Sequence, residues 1–589
     1  MVNQALARIF DEIADLMEIT GGDLFRINSY RRAARTIDDL TENLTDIAKR
    51  KELQKIPGIG KGTAERIRQF LEEGHITLHQ ELLAQVPPRL PQLLQIPGLG
   101  PKKVRALYQE LGVKNIEQLR AAIEAGKVEK LAGFGPKSTH NIIEGMDFLA
   151  RSAGRTPIGM AWIIAHALRE TIAGFNGVKR VEFAGSLRRG CETIGDIDML
   201  CEADDGEATI QAFSAMPEVN QVLAAGETKG SILVTNPRGG DIQVDLRVVP
   251  QESFGAAWQY FTGSKQHNIR LRELAVKKGW RLNEYGLFDG DKSLAGISEE
   301  DIYRKLGFSP IPPEVREDRG EIEAEGKLPD LVTIDDIRGD LHVHTTDSDG
   351  RNSIEELAEA ARQRGYSYLA ITNHSKSSII ANGLSIERLL EHVEAIHNLN
   401  KTLKGLTLLA GVECDILSDG SLDYPDNILA QLDYVVASIH AGMQQNRDRV
   451  TKRSLAALEN PYVCTLGHPS GRLIGARDAM DLDWEKIIET AARCGTALEL
   501  NCSWQRLDLK DVHVRTAVEA GCRIVIATDS HEVQQLDQMH FGIQTARRGW
   551  ATKTQVLNTL TETELKTWIK KKRTRQESHA PGIFTRGGK

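Results

Sequence analysis

In the first 150 positions apolar residues recur at helical spacing, as at Ile9, Ile13 and Met17, in short stretches broken by Pro-Gly turns. That rhythm predicts a run of short helices. Around 181–247 it changes to strand-like segments, VEFAGS, DIDML, SILVTN and DIQVDLRVV, mixed with helices. A helical stretch follows at 264–279, and then Pro310, Pro312 and Pro313 interrupt the pattern. Residues 314–337 are charged and proline-punctuated, which reads as a linker. Beyond 338, apolar runs (YLAIT, LTLLAGVE, YVVASIH, YVCTLGH, TALELN, RIVIATD) alternate with amphipathic helices. Such sustained alternation predicts a parallel α/β barrel or sheet. The basic tail after Thr561, KTWIKKKRTR, is expected to fray. The chain is therefore expected to be multidomain α/β: helical units at 1–80 and 81–150, an α+β unit at 151–250, a smaller unit at 251–317, a linker at 318–337 and a barrel at 338–575.

Composition excludes more than it identifies. With 589 residues the chain is too long for a single core. It lacks an apolar run long enough for a membrane span, and its N-terminus lacks the basic start and cleavage site of a signal peptide. Seven scattered cysteines without a CxxC pair read as reduced thiols, so a cytoplasmic location is expected. The net charge is −8, and residues 1–150 hold 21 Lys+Arg against 20 Asp+Glu. Net charge does not announce a nucleic-acid partner; local geometry has to supply one.

That geometry is present as a repeat. IPGIGKGTAERI (56–67) and IPGLGPKKVRAL (96–107) share one pattern, with LAGFGPKSTHNI (131–142) a degenerate third copy. Gly58, Gly60, Gly98 and Gly100 permit a tight turn that leaves backbone N–H groups bare at a helix start, a phosphate site that needs no net positive charge. The pattern resembles the helix-hairpin-helix motif, which holds DNA backbone without reading sequence.

AGSLRRGCETIGDIDML (184–200) carries a second chemistry. Asp196 and Asp198 are two apart on a predicted strand and so share a face; Asp245, in the alternating strand DIQVDLRVV, can join them from a neighbouring strand. Three converging carboxylates repel unless divalent cations neutralise them. Two Mg²⁺ or Mn²⁺ ions about 4 Å apart would suit transfer to a 3′-oxygen with pyrophosphate leaving. The Gly185-Ser186 turn, Arg188 and Arg189 offer N–H groups, a hydroxyl and guanidinium forks for a triphosphate. Arg247 is expected to pair with an aspartate before cations arrive. This is the nucleotidyltransferase signature, and it does not say what is transferred.

The second half places six histidines and three carboxylates at strand ends: His342, His344 and Asp349 in DLHVHTTDSDG, then His374, Glu413, His440, His468, Asp529 and His531. Carboxyl ends of parallel strands are where barrel enzymes build sites. Nine N/O ligands suit two or three Zn²⁺, Mn²⁺ or Fe²⁺ ions and a hydrolytic reaction. Arg472, just after His468, is open to two readings, a phosphate contact or a surface arginine.

Taken together, GSLRRG…GDID, GETKGS, YFTGS and LNEYGLF resemble family X DNA polymerases over residues 1 to about 317, and the strand-end ligand set resembles the PHP (polymerase and histidinol phosphatase) family over about 338–575. The resemblance implies an 8-kDa-like helical domain and a second helix-hairpin-helix subdomain, a palm, a thumb, and a distorted TIM-like barrel with a trinuclear site. It implies metal ligation by Asp196, Asp198 and Asp245, with Gly185, Ser186, Arg189 and Gly195 on the triphosphate. Tyr260, Phe261 and Gly263 would line the sugar, Lys265 would add charge near the phosphates, and Arg270 would sit near the nascent pair. Where animal relatives carry a Schiff-base lysine this chain has Arg66, which cannot act as that nucleophile, so 5′-deoxyribose-phosphate lyase activity is expected to be weak or absent.

The implied function is short-gap filling in base excision repair, on gapped or primer-template DNA with dNTPs, by a monomer with no membrane partner. The PHP domain would add 3′→5′ exonuclease and abasic-site endonuclease activity. Two other readings stay open: a PHP site for small phosphate monoesters, and a DNA-end-binding scaffold.

Overall fold

The apolar stripe of the first helix, Val2–Thr20, is made by Leu6, Phe10, Ile13 and Met17, all buried, with Ile9 at its edge. This computed structural model describes residues 2–38, 44–56, 58–96, 99–136, 138–140, 142–143, 146, 155–236, 240–324 and 328–577. The chain forms two compact units, Met1–Ala153 and Gly154–Lys589.

In the first unit Val2–Thr20 packs on Leu24–Asp38, and Phe10 stacks on Tyr30 at 5.8 Å. Helices Lys61–Glu73 and Pro101–Leu111 each end on a left-handed glycine, Gly74 and Gly112. Only glycine enters that conformation without a Cβ penalty.

The second unit begins with a five-stranded sheet in the order Val178–Phe183, Asp196–Ala203, Asp241–Val248, Lys229–Thr235, Val219–Ala225. Only the Asp196–Ala203 and Asp241–Val248 pair is parallel. Helices Phe254–Thr262, Lys265–Lys277 and Glu299–Leu306 follow, with a small antiparallel sheet of Arg281–Asn283, Gly286–Asp289 and Lys292–Ala295.

Seven parallel strands come next in sequence order: Gly339–Val343, Tyr368–Ile371, Thr407–Asp415, Tyr434–Ser438, Thr465–Leu466, Ala497–Asn501 and Ile524–Ala527. A parallel bridge between Val343 and Ser530 links the first strand to the end of the last. Every residue of these strands except Thr407 is buried, the condition of strands covered on both faces.

One expectation from sequence gains a physical account and another needs correction. The charged segment 314–337, expected as a linker, is packed down among its described residues: Arg316, Glu321 and Val332 are buried. Arg316 pairs with Glu299 at 2.8 Å, and Glu321 pairs with the buried His267 at 2.7 Å. Its charges look solvated in sequence because their partners lie far away in the chain. The basic tail does not fray at Thr561. Helix Glu562–Glu577 buries Leu565 and Ile569 against Leu341, Tyr368 and Ala527, and the buried Lys572 Nζ donates to the carbonyls of Asn460 and Pro461 at 3.0 and 3.2 Å. All seven cysteines are free, and among the described residues no helix is long and apolar enough to cross a membrane.

Candidate active sites

In the five-stranded sheet Asp198 lies directly opposite Asp245 and Asp196 opposite Gln243. Ile197, Met199, Val244 and Leu246 alternate with them and point into the core, so strand pleating sends the acids to the other face. Burial, and then the charges of Asp196 and Asp245, push the Asp198 carboxyl up to about 7. Burial acts the same way on Asp245, but hydrogen bonds from Ser231 (2.6 Å) and Gln243 (2.8 Å), with Lys229 Nζ at 3.2 Å, outweigh it and hold that group below the usual carboxylate range. Crowded carboxylates of which one resists ionisation suit divalent cations. Arg247 acts on the Asp198 carboxylate through its charge, but among the described residues it makes no direct ion pair with an aspartate. Lys229 takes Asp245, and Arg247 lies over the Phe261 ring at 4.3 Å.

Gly185 opens the short helix Gly185–Arg188 at φ +58°, and a Cβ there would collide with the Asp198 carboxylate. Ser186 follows it, partly exposed. Arg188 is not available to a triphosphate: it lies over Trp258 at 3.5 Å and is bound by both oxygens of buried Glu299, at 2.8 and 2.6 Å. Arg189 donates to Glu317 at 3.0 Å and to the Thr262 carbonyl at 2.6 Å. Gly195 immediately precedes the acidic strand, close to Arg155.

Tyr260 and Phe261 meet edge to face at 5.2 Å. Gly263 turns the chain at φ +70°, and Ser264 caps the helix that starts at Lys265, which is exposed. Arg270, farther along that helix, is turned toward Glu323, Glu273 and Asp318 rather than left free for a base pair.

The nine barrel residues converge. His344, Asp349, His374 and His531 form one group, His342, His344 and Asp529 another, and His374, Glu413 and His440 a third, each with ligand atoms within 4.8 Å of one another. His468 Nε2 joins at 2.8 Å from Glu413 Oε1. His342 Nε2, both ring nitrogens of His344, His374 Nδ1, Glu413 Oε2 and His468 Nδ1 are buried without a hydrogen bond. Orphaned polar atoms at this density are costly unless cations occupy the cluster, so the donor set fits metal ions. Burial, and then the charges of His531 and His374, push His344 down to about 3, which keeps it in the neutral form that ligates. His468 and Asp529 also sit at positive φ, +25° and +53°. Strain of that kind is held at functional positions by the structure around it.

Behind these residues stands a layer that the sequence did not disclose. His342 Nδ1 contacts buried Glu499 at 2.7 Å, and His440 Nδ1 contacts Asp415 at 2.5 Å. Carboxylates so placed fix the tautomer and aim the opposite nitrogen inward. Asp415 falls two after Glu413 on one strand, and that spacing could have revealed it. Glu499 is the lone acid inside TALELN. Arg472 is neither a surface arginine nor a free phosphate contact; it pairs with Glu192 at 2.9 Å.

In the N-terminal unit Gly60 and Gly100 precede their helices with matching backbone angles (φ −80°, ψ 172° and φ −79°, ψ 172°) and no side-chain cap. Gly58 has φ +84°. Gly98 lies outside the described residues. Arg66 is half-buried; it lies over the Tyr30 ring at 5.6 Å and donates to the Gly62 carbonyl at 2.8 Å.

Models of four domain families match the chain: a helix-hairpin-helix domain at 1–76, a SAM-like helix-hairpin-helix tandem at 90–146, the DNA polymerase beta thumb at 257–317 and the PHP domain at 340–503. The DNA polymerase/3′-5′ exonuclease PolX of Bacillus subtilis (strain 168) is 38% identical over 573 residues, which cover 97% of this chain and 100% of that protein. The chain belongs to the PolX family. Two further relatives match parts of the chain. DNA polymerase lambda of Rattus norvegicus is 28% identical over 50% of this chain and 53% of its own length. A protein described as a probable phosphatase, from Thermoanaerobacter sp. (strain X514), is 28% identical over 37% of this chain and 89% of its own length. In this PolX family member Asp529 and His531 lie beyond the segment matched by the PHP model, yet they share its ligand cluster.

Proposed function

We infer that this chain is a DNA-directed DNA polymerase that fills short gaps and trims 3′ ends, with the two reactions at separate metal sites. The observation that carries the reading is the coexistence of two ligand clusters, three aspartates on the sheet and nine ligands in the barrel, in a chain alike over its length to a polymerase/exonuclease.

At the sheet, Asp196, Asp198 and Asp245 would hold Mg²⁺ or Mn²⁺. When bound, these ions supply activation of the 3′-hydroxyl and stabilisation of the leaving pyrophosphate. Ser186, Arg189 and the Gly185 turn take the triphosphate, with Gly195 and Lys265 nearby. Tyr260, Phe261 and Gly263 restrict the sugar, and an added 2′-hydroxyl meets a wall of aromatic ring and backbone. Arg270 reaches the nascent pair only by leaving its carboxylate partners. At the barrel, the nine ligands would hold two or three Mn²⁺, Zn²⁺ or Fe²⁺ ions, which supply a hydrolytic nucleophile at neutral pH. There Glu499 and Asp415 orient His342 and His440. The bare helix starts at Gly60 and Gly100, with Gly58 shaping its turn, hold DNA backbone without sequence preference, which suits repair of gapped DNA.

Separation of function tests the assignment. Asp196→Ala is expected to abolish dNTP incorporation on gapped DNA and to spare 3′→5′ degradation, and His342→Ala to do the reverse. Retention of both activities by both variants would overturn it. Wild-type lyase activity on a 5′-deoxyribose phosphate is expected to stay at background, with Arg66→Lys as the probe of whether the residue type alone is limiting.

A further inference from the structure

Arg189 belongs to a cluster that spans the polymerase and barrel parts of the second unit. Glu317 Oε1 accepts both Arg189 Nε at 3.0 Å and Arg548 Nη1 at 2.9 Å. Arg548 ends the barrel-side helix Met539–Arg548. Its Nη1 also donates to the main-chain carbonyl of Arg189 at 2.9 Å, and its Nε and Nη2 hold Asp511 at 3.1 and 3.0 Å. Asp511, the first residue of helix Asp511–Glu519, takes Arg319 as well, at 3.0 Å. The side chains of Arg189, Glu317, Arg548 and Asp511 are 15%, 17%, 8% and 8% exposed, so salt screens their interactions little.

Charge bookkeeping gives the cluster a direction. Three guanidiniums, Arg189, Arg319 and Arg548, face two carboxylates, Glu317 and Asp511, which leaves one positive charge. Remove Arg548 and the balance is zero: Arg189 and Glu317 neutralise each other as a closed pair, and an incoming phosphate has to compete with a buried carboxylate. With Arg548 present, one carboxylate oxygen divides its attraction between two cations, and Arg189 stays oriented without being neutralised.

We propose that Arg548, contributed by the barrel, is a positioning residue for nucleotide binding at the polymerase site, acting by sharing Glu317 with Arg189. The proposal rests on the reading of Arg189 as a triphosphate ligand. It makes the barrel a working part of the polymerase in addition to its own hydrolytic role.

The test is steady-state incorporation by the full-length protein on gapped DNA, with exonuclease rate and thermal midpoint measured on every variant. Arg548→Met is expected to raise the dNTP KM roughly tenfold with little change in kcat, the size of effect usual for coupled neighbours. Glu317→Gln alone should leave KM no higher than wild type. The double variant should return toward wild type, because a neutral amide no longer competes for Arg189; a purely structural role for Arg548 predicts no such rescue. Arg548→Lys should fall between, since a point charge cannot hold Glu317 and Asp511 together. An unchanged KM in Arg548→Met, or a double variant as impaired as the single, overturns the proposal. If Arg548→Met does not fold, Arg548→Lys and Glu317→Gln decide it, and a raised KM in Glu317→Gln is the contrary result. Arg189→Ala separates the two layers. Unchanged KM there removes the underlying reading, whereas a raised KM beside a normal Arg548→Met removes only the sharing of Glu317.

Discussion

The aspartates of the sheet stand on a partly exposed face, with Asp196 open to solvent and Asp245 held by Lys229, Ser231 and Gln243. The barrel cluster is buried on one side and open on the other: His342 and His344 are 0% exposed and Glu413 1%, whereas the side chains of Asp349, His440 and His531 keep 32%, 26% and 29% of their surface. Both places gather ligands that repel or strand one another in the absence of cations, but they differ in what water can do. At the sheet, water and nearby donors partly compensate, so the site tolerates being empty and can take its ions together with a nucleotide. On the buried side of the barrel, nitrogens of His342, His344, His374 and His468 face only one another and the cluster's own carboxylates and make no hydrogen bond, so the folded cluster favours resident ions. A site that turns over with substrate and a site built around resident ions call for different surroundings, and this chain provides both.

The largest effects should come from breaking either site outright. Asp198→Asn is expected to lower incorporation by at least about 10³-fold with exonuclease intact, and His344→Ala to remove exonuclease with incorporation intact; comparable loss of both activities in either variant would erase the contrast. Next in size is Glu499→Gln, expected to cut exonuclease activity or metal affinity by about 10–100-fold without touching incorporation, measured with metal content on the same sample. Chelation sharpens the comparison in time. After brief EDTA and restored Mg²⁺, incorporation should recover on mixing, while barrel metal, followed by elemental analysis, leaves only over longer exposure and takes thermal stability with it.

The remaining effect is one of stability and concerns neither cation site. Buried Glu299 is pushed toward protonation by burial, but Arg316 and Arg188 outweigh that and hold its carboxyl down, at about 2. A depressed carboxyl stabilises fully above its unfolded value of about 4.5 and loses that contribution as pH falls toward 2, on the order of 3 kcal/mol. Urea midpoints of wild type and Glu299→Gln should therefore converge as pH drops from 5 toward 2. A constant gap would show that the ion pairs do not carry the difference.

Much of both sites was legible because the chemistry is local in sequence. Asp196 and Asp198, or His342 and His344, reveal their shared face by a spacing of two, and strand-end histidines follow apolar runs one after another. Gly185 was legible too, although its reason, room for the Asp198 carboxylate, was not. What escaped depends on pairing across distance. Arg188 looked like a phosphate fork until Glu299 claimed it, and Arg270 looked free until three carboxylates surrounded it. The 314–337 segment has the composition of a tether, and only the buried positions of Arg316 and Glu321 show it as interior. Periodicity reports which face of an element is dry; it is silent on which distant charge will meet a given guanidinium.

The buried ionic seam at 316–321 also bears on how such a chain can change over generations. A break between 317 and 318 would take the shared Glu317 away from Arg548 and would put the fully buried partners His267 and Glu321 on different fragments. Once that seam had formed, fission of the gene would be penalised at the level of folding, and the two enzymes would be inherited as one.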